Sequence, residues 1–139
     1  MPLDPVLVAD TKDWLTKARG DLRGADVDLA ASPPLLEDAL FHCQQAVEKS
    51  FKAFLTWHSR PFRRTHNLEE TGEACLAIDP TLRPTVDEAV PLSEYAWAYR
   101  YPGPHEIPPL VEVVAARDIA GRAHKAILSR LPAETQPSA

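Results

Sequence analysis

Arg100 and His105 are the residues of this sequence whose types and spacing could carry out a reaction. They lie five positions apart in the segment AWAYRYPGPHE, where an aromatic helical pattern gives way to a turn rich in proline and glycine. A neutral imidazole, with a pKa of about 6.5, can take the proton of a ribose 2′-hydroxyl at physiological pH. A guanidinium can stabilise the charge that develops on the attacked phosphorus. The pair predicts either metal-free cleavage of RNA or simply a helix end followed by a loop.

The basic segment from Lys49 to Leu68 is a second candidate for binding phosphate. Between Lys49 and Leu68 there is no acid, and the segment contains the cations Lys49, Lys52, Arg60, Arg63 and Arg64. The formal net charge of the chain is -5, which argues against general attraction to nucleic acid but not against a local patch. The alternative is that these cations are solvated and complement the negative carboxyl end of a helix.

Motifs for other chemistry are missing from the sequence. It contains no glycine-rich phosphate loop, no GxSxG and no HExxH or His-x-x-Cys spacing. We therefore predict no metal site and no cofactor. A polar strip formed by His42, Gln45 and Lys49 at helical spacing could face a nucleotide, or it could be solvated or face a second copy of the chain.

The expected environment of the protein is the cytoplasm. No apolar run approaches the roughly 20 residues that span a bilayer, and the segment MPLDPVLVAD lacks the basic and apolar blocks of a secretion signal. Cys43 and Cys75 form no CxxC motif. They are expected to be reduced thiols in the core, with a disulfide as the alternative.

Apolar residues at helical spacing predict five helices and no strand. The strongest stripe runs from Leu36 to Phe54, and that helix should end near His58. The last helix is expected from Leu110 to Leu131. The expected caps of the first four helices are Asp10, Ser32 (with Pro33 at the first helical position), Asn67 and Thr85.

The remaining boundaries complete the predicted architecture. The third helix should end near Asp79 and the fourth at Tyr101, because Pro102 disfavours helical geometry in the residue before it. Gly20 and Gly24 indicate a soft first helix or the close approach of a neighbouring backbone. Four long helices and a short one, with proline-rich connections, predict an all-α up-and-down bundle. Residues 1–131 would form a single domain, and residues 132–139 a disordered tail.

Three segments together resemble the HEPN domain, a small helical nucleotide-binding domain. They are FHCQQAVEKSFKAFL at residues 41–55, RPFRRTHNL at residues 60–68 and YRYPG at residues 99–103. The resemblance implies a four- or five-helix bundle that forms homodimers with a cleft between the protomers. It also implies a separately encoded minimal nucleotidyltransferase as a possible partner, in a toxin–antitoxin-like pair.

Many members of the family are metal-independent endoribonucleases with an Arg separated from a His by four to six residues, and the pair Arg100 and His105 fits that spacing. Active members commonly carry a small polar residue directly after the Arg. Tyr101 stands there instead, as in relatives whose catalysis is doubtful. Some toxins of the family carry a modified Tyr two residues after the His, where this chain has Ile107.

Two functional hypotheses follow. The first is a nucleotide- or RNA-binding protein, whose candidate phosphate-binding residues are Lys49, Arg63, Arg64, Arg100 and Tyr101. The alternative is a toxin-like endoribonuclease in which Arg100 and His105 are catalytic. A purely structural dimer is the third possibility.

Overall fold

The computed structural model of the chain describes residues 2–138, which fold into helices packed around a central one. The α-helices are α1 (Pro5–Ala30), α2 (Leu36–Trp57), α3 (Leu68–Ile78), α4 (Arg83–Ala89) and α5 (Leu110–Leu128). Three 3-10 helices lie at Pro80–Leu82, Val90–Ala96 and Ala133–Thr135. The described part of the chain has no strand, which confirms the prediction of an all-α fold. Met1 and Ala139, which belong to the predicted domain and tail, lie outside the described residues.

α2 is the central helix, and apolar and polar side chains are buried on most of its circumference. Its predicted stripe is fully buried at Leu40, Cys43, Val47 and Phe51. The helix packs against α1, α3, α5 and the 3-10 helix Val90–Ala96. Burying one large apolar side chain is worth about 1.5 to 3 kcal/mol, so α2 supplies a large part of the core. Within residues 2–138, no helix has an apolar stretch that would cross a membrane.

The ends of the helices were only partly predicted. Asn67 caps α3 as expected, since its side chain accepts hydrogen bonds from the backbone N–H groups of Glu69 and Glu70. α1 begins earlier than predicted, because Asp4 and not Asp10 caps it and Pro5 occupies its first turn. α2 has no side-chain cap, so the predicted role of Ser32 is wrong. Thr85 lies inside α4 rather than at its amino end.

The predicted fourth long helix is replaced by two short segments. α4 ends at Ala89, and Val90–Ala96 continues as a 3-10 helix. Pro91 explains the change, since its ring nitrogen carries no N–H and its ring clashes with the preceding helical turn. Tyr99 then adopts a left-handed backbone conformation with φ of 64°, which stops any helix before Arg100. The bundle therefore has three long helices, α1, α2 and α5, instead of four.

The segment after Leu131 turns back onto the bundle in the part that is described. Thr135 is fully buried, and its hydroxyl donates a hydrogen bond to the carbonyl oxygen of Pro132. The side-chain amide of Gln136 donates to the carbonyl of Leu128 near the end of α5. The division of the chain into a domain ending at residue 131 and a tail stays a prediction.

Both cysteines are free and buried, which confirms that they are core thiols. Burial raises the pKa of Cys43 and that of Cys75 to about 12, so neither is a thiolate at physiological pH.

Candidate functional site

Arg100 and His105 both lie against the first turn of α2. The guanidinium carbon of Arg100 is 3.8 Å from the ring centroid of Phe41, and its Nη1 is 3.6 Å from Asp38 Oδ1. Nε2 of His105 is 3.1 Å from Oε1 of Glu37. The two side chains thus contact consecutive acidic residues of one helical turn. No hydrogen bond joins Arg100 to His105 among the described residues.

Aromatic contacts position the loop that carries the pair. The ring of His105 meets Tyr99 edge to face at 5.2 Å, and Tyr99 stacks on Tyr95 at 6.4 Å. The hydroxyl of Tyr95 donates a hydrogen bond to Glu112 near the start of α5. Burial first, and then the bond to Glu112, raise the pKa of Tyr95 well above its usual value. The aromatic contacts of Tyr95 and Tyr99 therefore position His105 relative to α5, and its bond to Glu37 positions it relative to α2.

Each member of the pair is partly exposed and faces a carboxylate. The Arg100 side chain is 38% exposed, and apart from Nη1 its N–H groups have no partner among residues 2–138. His105 is 33% exposed. A phosphate that binds here has to compete with Asp38 for Arg100 and with Glu37 for His105. The planar fork of arginine can serve two acceptors at once, so an anion need not displace Asp38 completely.

An apolar surface borders the pair. Tyr101, one of the predicted binding residues, is 77% exposed and follows Arg100 directly. Ile107 lines a groove with Leu35, and both are exposed. The exposed residues that continue this surface along α5 are Leu110, Val111 and Val114. We call Leu35, Ile107, Leu110, Val111 and Val114 the α5 apolar surface. Exposed apolar area of this kind commonly marks an interaction site.

The other predicted phosphate-binding residues lie elsewhere. Nζ of Lys49 is 2.7 Å from Asp21 Oδ2, and the backbone of Lys49 lies about 16 Å along α2 from that of Asp38 at 1.5 Å per residue. Nε of Arg63, in the loop after α2, is 2.6 Å from Glu70 Oε1. Arg64 is exposed, with no ion pair in the described part of the chain. The structure does not bring these cations together with Arg100 into one site.

Gln44 and Glu48 of the segment FHCQQAVEKSFKAFL form a buried network with Lys52. Lys52 Nζ is 3.1 Å from Glu48 Oε2 and donates to the carbonyl of Thr65 at 3.3 Å. Gln44 donates to the carbonyl of His66 at 3.0 Å, and the His66 ring bonds Glu48. Because Gln44, Glu48 and Lys52 are buried, these bonds hold the loop between α2 and α3 against α2.

The predicted polar strip of His42, Gln45 and Lys49 meets α1, where His42 and Lys49 both bond Asp21. The cluster of carboxylates around His42, at the junction of α1 and α2, was not predicted. Nδ1 of His42 is 2.9 Å from Asp21 Oδ1, and Nε2 is 3.5 Å from Asp38 Oδ2 and 4.0 Å from Asp28 Oδ2. Its ring approaches α1 at Gly24, where a Cβ would lie 3.0 Å from the imidazole. Gly24 therefore leaves room for the side chain of His42. The sequence had suggested the close approach of a neighbouring backbone instead.

The carboxyl groups of this cluster are unusually close together. Burial first, and then the neighbouring Asp38 carboxyl, raise the pKa of Asp28 to about 6. The sequence contained a signal for this arrangement. Asp21 and Asp28 are seven positions apart on α1, and Asp38 and His42 are four apart on α2, so each pair lies on one helix face. The sequence alone did not show that these two faces meet, because this depends on how α1 packs against α2.

The fold is that of a small all-α domain with an arginine and a histidine at the amino end of its central helix. The chain belongs to the HEPN family, because the family model of the HEPN domain matches residues 11–128. No curated protein and no solved structure matches the chain.

Proposed function

We propose that this protein binds a nucleotide or RNA and that Arg100 is the residue that holds the phosphate. The observation that carries the proposal is the stacking of Arg100 on Phe41 with only Nη1 facing a carboxylate. Stacking on an aromatic face fixes the guanidinium plane and lowers the entropy lost when an anion binds. Membership of the HEPN family supports a nucleotide or RNA ligand. Tyr101 would add an exposed aromatic ring beside the phosphate.

The proposal includes a homodimer. The α5 apolar surface lies beside Arg100 and His105, so a second copy docked there would place two such pairs around one cleft. The resemblance also leads us to propose a separately encoded minimal nucleotidyltransferase as a partner, in a toxin–antitoxin-like pair. A cytoplasmic location is part of the same proposal, and it is supported by the two free cysteines.

Titration of the purified protein with ATP and with a short single-stranded RNA tests the binding role. Arg100→Ala should weaken the binding of one of these ligands by about 10-fold or more, because it removes a charge-assisted hydrogen bond. Arg122→Ala is a matched control, since Arg122 is an exposed α5 arginine paired with Glu88 at 2.7 Å. Equal affinities for wild type and Arg100→Ala, or no saturable binding of either ligand, would remove the assignment.

An endoribonuclease is the second candidate, favoured by the contact of Arg100 and His105 with consecutive residues of α2. His105 would take the proton of the 2′-hydroxyl, and Arg100 would stabilise the charge on the five-coordinate phosphorus. The 2′ oxygen would form a bond to phosphorus while the bond from phosphorus to the 5′ oxygen breaks, and the departing 5′ oxygen would take up a proton from water. The products would be a 2′,3′-cyclic phosphate and a free 5′-hydroxyl.

Incubation of single-stranded RNA with the protein in EDTA tests this candidate. His105→Ala should abolish cleavage while the far-ultraviolet circular dichroism stays unchanged. His58→Ala replaces another exposed histidine, at the end of α2, and should leave cleavage intact. Cleavage that persists in His105→Ala would exclude His105 as the base. If Arg100→Ala and His105→Ala change neither binding nor cleavage, the third hypothesis, a purely structural dimer, is favoured.

A further inference from the structure

The imidazole of His42 faces two carboxylates supplied by two different helices. Asp28 comes from the end of α1, and Asp38 and His42 come from the first two turns of α2. One donor atom from each of the three side chains lies within 4.8 Å of the others. These three residues form what we call the His42 cluster. It is separate from the position of His105, which bonds Glu37.

Asp21 fixes the orientation and the tautomer of the His42 ring. Its Oδ1 is 2.9 Å from Nδ1 of His42, while its Oδ2 is held by Lys49 at 2.7 Å. Because Oδ2 of Asp21 accepts from Lys49, Oδ1 is left to accept the N–H of Nδ1. A neutral imidazole then presents the lone pair of Nε2 to Asp28 and Asp38. Histidines that bind a metal through one ring nitrogen commonly donate the N–H of the other ring nitrogen to a carboxylate.

Asp28 Oδ2 points into the cluster without a hydrogen-bond partner among the described residues. The Asp28 side chain is only 9% exposed, and the unpartnered oxygen is 4.0 Å from Nε2 of His42. A buried carboxylate oxygen with no donor is costly, because it has given up its water without a replacement. Asp38, whose Oδ2 is 3.5 Å from the same nitrogen, adds a like charge. The cluster therefore contains more negative charge and more lone pairs than its own protons satisfy.

A protonated imidazole alone accounts for this arrangement less well than a metal ion does. Protonated His42 has one N–H at Nε2, which cannot serve both Asp28 and Asp38 with good geometry at 4.0 and 3.5 Å. A metal ion with bonds of about 2.1 Å holds neighbouring ligand atoms about 3.4 Å apart in a tetrahedron. The separations of 3.5 and 4.0 Å from Nε2 of His42 lie within about 0.6 Å of that value, and the two carboxylate oxygens lie within 4.8 Å of each other.

We propose that Asp28, Asp38 and His42 bind a divalent transition metal ion such as Zn²⁺, and that Asp21 orients the imidazole. One nitrogen and two carboxylate oxygens suit Zn²⁺ better than Mg²⁺ or Ca²⁺, which prefer oxygen ligands alone. The sequence predicted no metal site because the ligands come from two helices and match no metal-binding motif. The site goes beyond the proposed binding of nucleotide or RNA and does not depend on it.

Such an ion would join the end of α1 to the start of α2. Asp38 would then take part in two contacts, because its Oδ1 faces Arg100 and its Oδ2 faces His42. The metal would therefore fix the side chain that holds Arg100 in place. Arg100 itself is not a ligand, so Arg100→Ala should still bind one equivalent of the metal. That variant separates a failure of the metal site from a failure of the proposed phosphate site.

Calorimetric titration of the metal-free protein with Zn²⁺ tests the proposal. Wild type should bind one equivalent, and Co²⁺ should give visible absorption bands at the same stoichiometry. Asp21→Asn should weaken binding by about 10- to 100-fold, the usual effect of losing a group that supports a metal-binding histidine. His42→Gln should weaken it further. His58→Gln is the matched control for adventitious binding to an exposed histidine and should bind as wild type does.

Asp28→Asn keeps the test decisive if His42→Gln fails to fold. The change is isosteric and removes a buried negative charge, so the metal-free variant should be at least as stable as wild type in urea. It should nevertheless lose Zn²⁺ affinity and the rise in melting temperature that Zn²⁺ gives to wild type. No one-equivalent binding by wild type, or unchanged affinity in Asp28→Asn and His42→Gln, would overturn the proposal.

Discussion

At the scale of single residues, His124 is a buried histidine that the structure keeps neutral. Its Nδ1 is 2.9 Å from Ser50 Oγ, and Ser50 donates its own proton to the carbonyl of Ala46. Nδ1 must therefore carry the hydrogen that Ser50 accepts. Burial, followed by the positive charges of Arg19 and Arg117, lowers the pKa of His124 to about 4. The folded protein thus binds this proton much less readily than the unfolded chain does.

The stability of the protein should fall on acidification because of His124. The histidine has a pKa of about 6.5 when unfolded, so between about pH 6.5 and about pH 4 the unfolded state binds more protons. The stabilisation that the neutral His124 gives to the folded state is fully present above about pH 6.5. About 3 kcal/mol of the free energy of unfolding is lost by about pH 4. Urea unfolding of wild type and His124→Gln across this range measures it. The two curves should converge at low pH, and a constant separation would contradict the prediction.

Two glycines on different helices should respond in opposite ways to alanine. A Cβ on Gly72 would lie 2.6 Å from Cγ1 of the buried Val86, whereas a Cβ on Gly20 would meet nothing within 4 Å. Gly72→Ala should lower the free energy of unfolding by about 1 to 3 kcal/mol through overpacking. Gly20→Ala should raise it by roughly 0.5 to 1 kcal/mol through helix propensity. Urea unfolding compares them, and stabilisation by Gly72→Ala would show that Val86 moves freely.

At the scale of elements, the loop between α2 and α3 depends on one buried ion pair. The side chains of Glu48 and Lys52 are 6% and 8% exposed. Glu48→Gln should lower the free energy of unfolding by about 3 to 5 kcal/mol, because it leaves the Lys52 cation buried without a counter-charge. Hydrogen exchange should also become faster in residues 60–67, which the network holds against α2.

An exposed ion pair provides the control for Glu48→Gln. Arg83 and Glu73 are paired at 3.2 Å, and both side chains are more than half exposed. Glu73→Gln should cost only about 0 to 1 kcal/mol in the same urea experiment. If both variants lose the same free energy of unfolding, burial is not what makes the Glu48–Lys52 pair important.

The elements that the sequence predicted well are those with a local signal. α2 follows from a continuous apolar stripe, and the start of α3 follows from the cap at Asn67. The predicted fourth helix, from Thr85 to Tyr101, was wrong beyond Ala89. An α-helix and a 3-10 helix place apolar residues at similar spacings, so the local pattern did not show which of them would follow at Pro91. The contact of Arg100 with Asp38 could not be predicted either, since it depends on how a turn folds back onto a distant helix.

At the scale of the whole molecule, the α5 apolar surface should hold two copies of the chain together. Val111 is 76% exposed on this surface, and replacing it by a charged residue would place that charge in the proposed interface. We expect wild type to sediment as a dimer and Val111→Glu to sediment as a monomer. Val6→Glu is the control, because Val6 is 68% exposed at the start of α1. A monomeric wild type, or a dimeric Val111→Glu, would contradict the proposed interface.

The central place of α2 has a consequence for how the protein is made. α1 precedes α2 in the chain, so the first hairpin can form as soon as both have left the ribosome. The face of α2 that α5 covers has no partner until residues 110–128 have also emerged. The growing chain therefore carries uncovered apolar surface through most of its synthesis. Nascent chains released before α5 is complete should be substrates for chaperones and proteases.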